Sequence, residues 1–142
     1  MKINIFFFLL ITIFCQSQSE EILGIWLEEE KQSKIEIYKE DNLFFGKIIW
    51  LKEPLDENGK EKLDKENPNI SLQKKPINGL IIMRKLKYIN EGKWSNGEIY
   101  DARSGKTYSL EVNMRDHNKL DLRGYLGFTL FGRTTSWSRV KN

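Results

Sequence analysis

The stretch "WSNGEIYDARSGKTY", Trp94 to Tyr108, decides how the rest of the chain is read. It sets acids, bases and aromatic residues around glycines, which would suit a phosphate cradle, a catalytic loop or a hairpin. A phosphate cradle needs a helix directly after it, whose first amides point at the anion. The chain instead continues "YSLEVNM", where Tyr108, Leu110, Val112 and Met114 alternate with Ser109, Glu111 and Asn113. That is the period of a strand. The stretch therefore reads as a hairpin: Glu98 to Asp101 ends one strand, "ARSG" turns, and Lys106 begins the return. Gly105 is expected to supply a positive φ, and Asp101 to bond back to the amides of the turn. Asn96 and Gly97 are expected to help the chain leave a preceding corner.

The same alternation runs outward in both directions. In "SKIEIYK", Ile35 and Ile37 share one face; "EDN" turns the chain, and "LFFGKIIW" returns with Phe44, Gly46, Ile48 and Trp50 on one face. After "DHN", the stretch "LDLRGYLGF" sets Leu120, Leu122, Leu126 and Phe128 against Asp121, Arg123 and Tyr125, and "RTTSWSRV" is the last strand. With "ILGIWLE" and "GLIIMRKL" the chain offers about eight strands, joined mostly by hairpins. Closure into an all-β, antiparallel up-and-down barrel removes the exposed edges that invite aggregation. A β-sandwich is the alternative, and an OB-fold has too few strands. One segment breaks the meander. Residues 52–79 hold all three prolines, and a loop well beyond about 15 residues is often functional or mobile. It is expected to carry a short helix and to act either as a lid over one barrel end or as a solvated insertion.

The chain opens "MKINIFFFLLITIFCQSQS", one Lys and then an apolar run from Ile5 to Cys15. A bilayer span needs roughly 20 apolar residues, so residues 1–19 read as a secretory signal peptide and 20–142 as one barrel domain. Lipidation at Cys15 is the lesser reading, because Phe14 is a poor neighbour for it. Removal of the signal takes the only cysteine with it, leaving no disulfide in an oxidising compartment, the bacterial periplasm or the secreted space. The balance of 23 Lys and Arg to 20 Asp and Glu, spread along the chain, is a solvated surface and argues against a nucleic-acid partner.

"GIW", Gly24 to Trp26, resembles the Gly-x-Trp signature of lipocalins and other calycins. That resemblance implies that Trp26 closes the barrel floor and that an arginine from the end of the barrel, here Arg139, lies across it. Trp137 and Arg139 share a face with Thr135 and Arg133 by period two. Over nearly the whole mature chain, "GIW", "FFGKIIWLKEP", "NPN", "NGLIIM", "GKWSNGEIYDARSGKTY" and "LRGYLGFTLFGRTTSWSRV" resemble the small exported bacterial family known as domain of unknown function 2147. This chain has Ala102 where that family commonly has proline. The resemblance implies a lipocalin-like barrel and an envelope or secreted location, and it implies no activity.

Catalytic chemistry finds few carriers. With one histidine, His117 in a turn, no metal site or nucleophilic triad is expected, and no cofactor. The acidic run from Asp56 fails as an EF-hand because Lys60 and Glu61 stand at its fifth and sixth positions. Binding remains: a small eight-stranded barrel is either filled or holds one ligand. The expected role is a non-enzymatic, monomeric carrier of a small hydrophobic or amphipathic ligand. Phe44, Phe45, Ile48, Leu122 and Phe128 would bury its tail. Arg133 would bind a polar head, with Tyr100, Tyr108, Tyr125 and Trp50 as companions. The rivals are an envelope interaction module with a solid core and, at lower weight, an envelope hydrolase.

Overall fold

The computed structural model describes residues 18–141, Thr129 by its backbone alone. The expected signal segment, Cys15 included, lies outside the described residues except for Gln18 and Ser19. Eight antiparallel strands close into one barrel in simple sequence order: β1 (Gly24–Leu27), β2 (Ser33–Glu40), β3 (Leu43–Leu51), β4 (Ile81–Asn90), β5 (Lys93–Asp101), β6 (Lys106–Asp116), β7 (Lys119–Tyr125) and β8 (Arg133–Arg139). The all-β up-and-down barrel expected from the alternation is what the chain forms. Its core is the inward set of that alternation, with Ile35, Ile37, Phe44, Ile48, Leu110, Val112, Leu120 and Leu122 all buried.

The two ends of the barrel differ, and turn chemistry is the cause. At one end Glu40 pairs Leu43, Asn90 pairs Lys93 and Asp116 pairs Lys119, so each connection has two residues. Asp41 and Asn42 both have positive φ, 48° and 63°, the backbone that a tight hairpin demands and that Asp and Asn tolerate. Short turns let side chains meet across this end. Trp26, Trp94, Phe44 and Leu86 fill it, with Phe44 and Tyr88 edge-on to Trp94. At the other end the connections are 28–32, 52–80, 102–105 and 126–132. Loops of that length leave this end open, and it is the end that can carry a site.

Two bulges change which residues face inward. β3 pairs Ile48 with Ile35 but Trp50 with Lys34, so Ile49 is the extra residue. A one-residue slip turns every later side chain to the opposite face. Trp50 is therefore on the outside, 39% exposed, with the Lys34 ammonium 5.0 Å from its ring centre. In β5 the register shifts between Trp94 and Gly97, with Asn96 at φ 58°. Asn96 and Gly97 thus sit inside a strand and mark a bulge, not the corner the sequence suggested. A Cβ on Gly97 would lie 2.7 Å from Leu86 Cδ1, so its missing side chain is filled by Leu86.

The 52–80 connection is folded against the barrel as a strap. It carries a short 3-10 helix, Ile70–Leu72, capped by the Asn69 side chain on Ser71 N, and isolated bridges pair Leu55 with Glu61 and Leu63 with Pro76. Its anchor is Asp64, wholly buried, which accepts the Tyr100 hydroxyl at 2.7 Å and Asn67 Nδ2 at 2.7 Å. A buried carboxylate is tolerated only with such partners. The strap then rejoins the sheet, where Gly79 N donates to Ile48 O at 2.7 Å.

Candidate functional site

The open end leads into a cavity of about 660 Å³. Its walls are apolar: Ile35, Ile48, Ile82, Ile99, Leu110 and Leu122 line it, with the buried Trp137 below them. Trp137 separates this space from the packed end. There the Arg139 guanidinium lies 4.2 Å from the Trp26 ring centre. Arg139 donates to the carbonyls of His117 (2.7 Å), Leu23 (2.7 Å) and Glu21 (2.5 Å), while Trp26 Nε1 donates to Ile22 O at 2.9 Å. Burial holds the Arg139 pKa below the ordinary guanidinium value, against the pull of Glu21. Gly24 has φ 127°, and a Cβ there would lie 2.9 Å from Arg139 Nη1. Gly24, Trp26 and Arg139 thus form one closed floor, with glycine where the arginine must cross.

The mouth is polar and tied together. The Arg103 guanidinium donates to Glu30 at 2.9 Å, joining the β5–β6 turn to the β1–β2 loop, and reaches Asp101 at 3.4 Å. In that turn Gly105 has φ 70°, and Asp101 accepts from Arg103 N at 3.0 Å and from the Ser104 hydroxyl at 2.9 Å. Glu28 shapes its own loop by accepting from Glu30 N, Gln32 N and Ser33 N, and Glu29 accepts from Ser136 N at 3.3 Å. The strap contributes Glu53, Lys62 and Ile77 to the rim.

Of the residues the sequence singled out for a ligand, Arg133, Tyr100, Tyr108 and Tyr125 border the cavity, and Trp50 does not. Arg133 sits at the start of β8, on the face it shares with Thr135 and Trp137, all three on the cavity. It is exposed, and its backbone pairs with Gly124 while its guanidinium has no hydrogen bond or ion pair among the described residues. Tyr108 packs its Cβ 3.6 Å from where a Cβ on Gly124 would stand, so the glycine opposite makes its room. Tyr100 borders the mouth with its hydroxyl committed to Asp64. Ile48 and Leu122 are wall residues, but Phe44 belongs to the packed end, Phe45 stacks on Tyr38 at 5.8 Å, and Phe128 is 75% exposed on the β7–β8 loop. β7 ends at Tyr125, so the period-two reading does not reach Leu126 or Phe128. Sequence reasoning missed Ile99, which the β5 bulge turns inward, and the acidic rim at Glu28–Glu30. Its signal was a run of three glutamates beside the first strand. Among the described residues no three His, Cys, Asp or Glu gather as a metal site, and no helix is long and apolar enough to cross a membrane.

The Tyr100 pair makes a pH prediction. Burial, then the hydrogen bond to Asp64 and its charge, push the Tyr100 pKa from 10.0 up to about 12. A pKa raised by folding means the folded state holds the proton more tightly. This contribution is complete below pH 10 and is lost as pH rises towards 12. Urea midpoints should fall across that window, and Tyr100→Phe should flatten the fall, leaving the smaller part due to Tyr38, which burial also raises. An identical alkaline fall in Tyr100→Phe would contradict the assignment.

With this geometry in view, comparison with known proteins gives three findings. The model of the family DUF2147, described as "Uncharacterized protein conserved in bacteria", matches residues 24–139. No curated protein matches the chain. Among solved structures, protein HP1028 from the human pathogen Helicobacter pylori, described as belonging to the lipocalin family, superposes with a TM-score of 0.74. The likeness covers 85% of this chain and 84% of that one at 24% identity, and it is a likeness of fold. The chain belongs to the DUF2147 family, and its barrel is lipocalin-like.

Proposed function

We propose that this DUF2147 member is an exported, non-enzymatic carrier that holds one small amphipathic molecule, of fatty-acid or lipid-like character, in its barrel. The observation that carries the reading is the cavity: about 660 Å³, apolar in its walls and open at the end of the long connections. Ligand sites of small molecules commonly measure about 300–1,000 Å³ and combine apolar walls with a few placed polar groups. A hydrocarbon tail among Ile35, Ile48, Leu110 and Leu122 would gain about 0.8 kcal/mol for each buried CH₂. The head would stay at the rim, where Arg133 offers a planar fork of donors that suits a carboxylate or phosphate. The signal-like segment at the N-terminus supports export. The polar rim supports holding rather than reacting, since Glu28, Glu29 and Glu30 are each engaged in bonds that shape it.

Native mass spectrometry before and after solvent extraction tests this directly. A lipid-sized mass should accompany the protein and leave on extraction, and the stripped protein should bind a fluorescent fatty-acid analogue. Arg133→Ala should weaken that binding by about 10- to 100-fold, the worth of a charge-assisted bond. Arg133→Lys should fall between, keeping the charge but losing the fork. A protein that neither carries such a mass nor takes up the analogue is not this carrier.

A further inference from the structure

The β7–β8 loop, residues 126–132, presents apolar side chains to solvent. Leu126, Phe128, Leu130 and Phe131 are 59%, 75%, 80% and 77% exposed, four large apolar side chains within six consecutive positions. The backbone there is held in shape. Arg123 donates to Leu130 O at 3.3 Å and to Thr134 Oγ1 at 3.0 Å, and Phe131 N donates to Phe128 O at 3.1 Å. A Cβ on Gly132 would meet Gly124 O at 2.7 Å, so the loop's return is drawn tight against β7. The exposed side chains are presented by a formed loop. Two of them, Leu126 and Phe131, also line the cavity mouth, so one apolar surface runs from the loop tip into the barrel.

We infer that this loop docks the barrel on the surface of a lipid bilayer, so that cargo passes between membrane and cavity along the loop's own apolar side chains. The inference rests on the carrier reading for its cargo but not for its docking. Two features favour a bilayer over a protein. The residues form a projecting tip, which enters the acyl–headgroup boundary without a complementary partner surface. Charge agrees, because Arg133 is exposed and begins β8 directly after the loop. A molecule seated loop-first thus brings a free guanidinium towards anionic headgroups.

The test uses the chain as the producing cell processes it, with Cys15→Ser in place and an environment-sensitive dye on Leu130→Cys or, as control, on Glu91→Cys at the closed end. Vesicles of phosphatidylethanolamine and phosphatidylglycerol carry a nitroxide lipid. The dye at 130 should be quenched and blue-shifted while the dye at 91 is not. Phe128→Ser with Leu130→Ser, neither of which lines the cavity, should lower vesicle co-sedimentation at least tenfold with an unchanged unfolding midpoint. The same double variant should slow transfer of a fluorescent fatty-acid analogue from vesicles yet leave its uptake from solution unchanged. No quenching at 130, or quenching equal at both positions, overturns the inference. So does a dye response that tracks protein concentration without vesicles, which would assign the loop to a second copy. Docking without any uptake of the analogue overturns the carrier reading and leaves the docking surface standing.

Discussion

Trp26→Ala is expected to lower the unfolding free energy by about 3–5 kcal/mol, the range for deleting a large buried aromatic side chain. Three independent facts put it at the top of that range. The indole is 0% exposed, so its whole apolar area is lost from the core. Its N–H donates to Ile22 O, a carbonyl that would be left buried and unpaired. Arg139 lies on its face, and that guanidinium also holds three carbonyls from the N-terminal segment and the β6–β7 turn. The seam it supports is thin. β1 pairs with β8 at only two positions, Trp26 with Arg139 and Leu27 with Ser138. Closure of the barrel thus depends on side chains more than on ladder bonds. Trp26→Phe should recover part of the loss by refilling the space, but not the bond to Ile22. Urea unfolding monitored by circular dichroism measures both, and a loss under about 1 kcal/mol for alanine would refute the plug.

How much of the fold is legible in the sequence depends on where the pairing is regular. Strands, turns and closure can be read because each two-residue turn carries its own chemistry and each strand alternates. The floor can be read because "GIW" resembles the lipocalin Gly-x-Trp signature, a resemblance that implies Trp26 as plug and Arg139 across it. Trp50 is misplaced by period two because a single extra residue, Ile49, sits unpaired ahead of it, and nothing in "KIIW" distinguishes that bulge from regular strand. Ile99 escapes for the same reason at Asn96. Leu126 and Phe128 continue an alternation whose ladder has already ended, since Gly132 and the β7–β8 loop turn there. The strap is the least legible part. Its buried Asp64 is one acid among many in a polar stretch, and only the distant Tyr100 hydroxyl makes it an anchor. Local pattern reports which face a residue takes while the register holds; it carries no information about partners brought in by the fold.

Gly105→Ala is the second large expected effect, about 2–4 kcal/mol, and its cause can be separated from the obvious one. The obvious one is conformational: φ is 70°, a left-handed backbone that costs a residue with a Cβ about 1–2 kcal/mol. The structure adds another. A Cβ at this position would stand 2.0 Å from the Glu66 carbonyl oxygen and 3.0 Å from its carbon, both main-chain atoms of the strap. Backbone cannot swing aside as a side chain can, so the strap must lift. Lifting it loosens the nearby Asp64–Tyr100 bond, whose two groups are then buried without partners. Asparagine distinguishes the two causes, since it tolerates positive φ several-fold better than most residues yet carries the same Cβ. If φ were the whole cost, Gly105→Asn would recover most of the stability. If the close approach decides, Gly105→Asn and Gly105→Ala should be equally destabilised in urea. Both should then be cleaved by trypsin at Lys60, Lys62 and Lys65 faster than the parent. Because Lys62 and Ile77 belong to the cavity rim, the same lift should change the mouth's shape, tying the hairpin turn to access into the barrel.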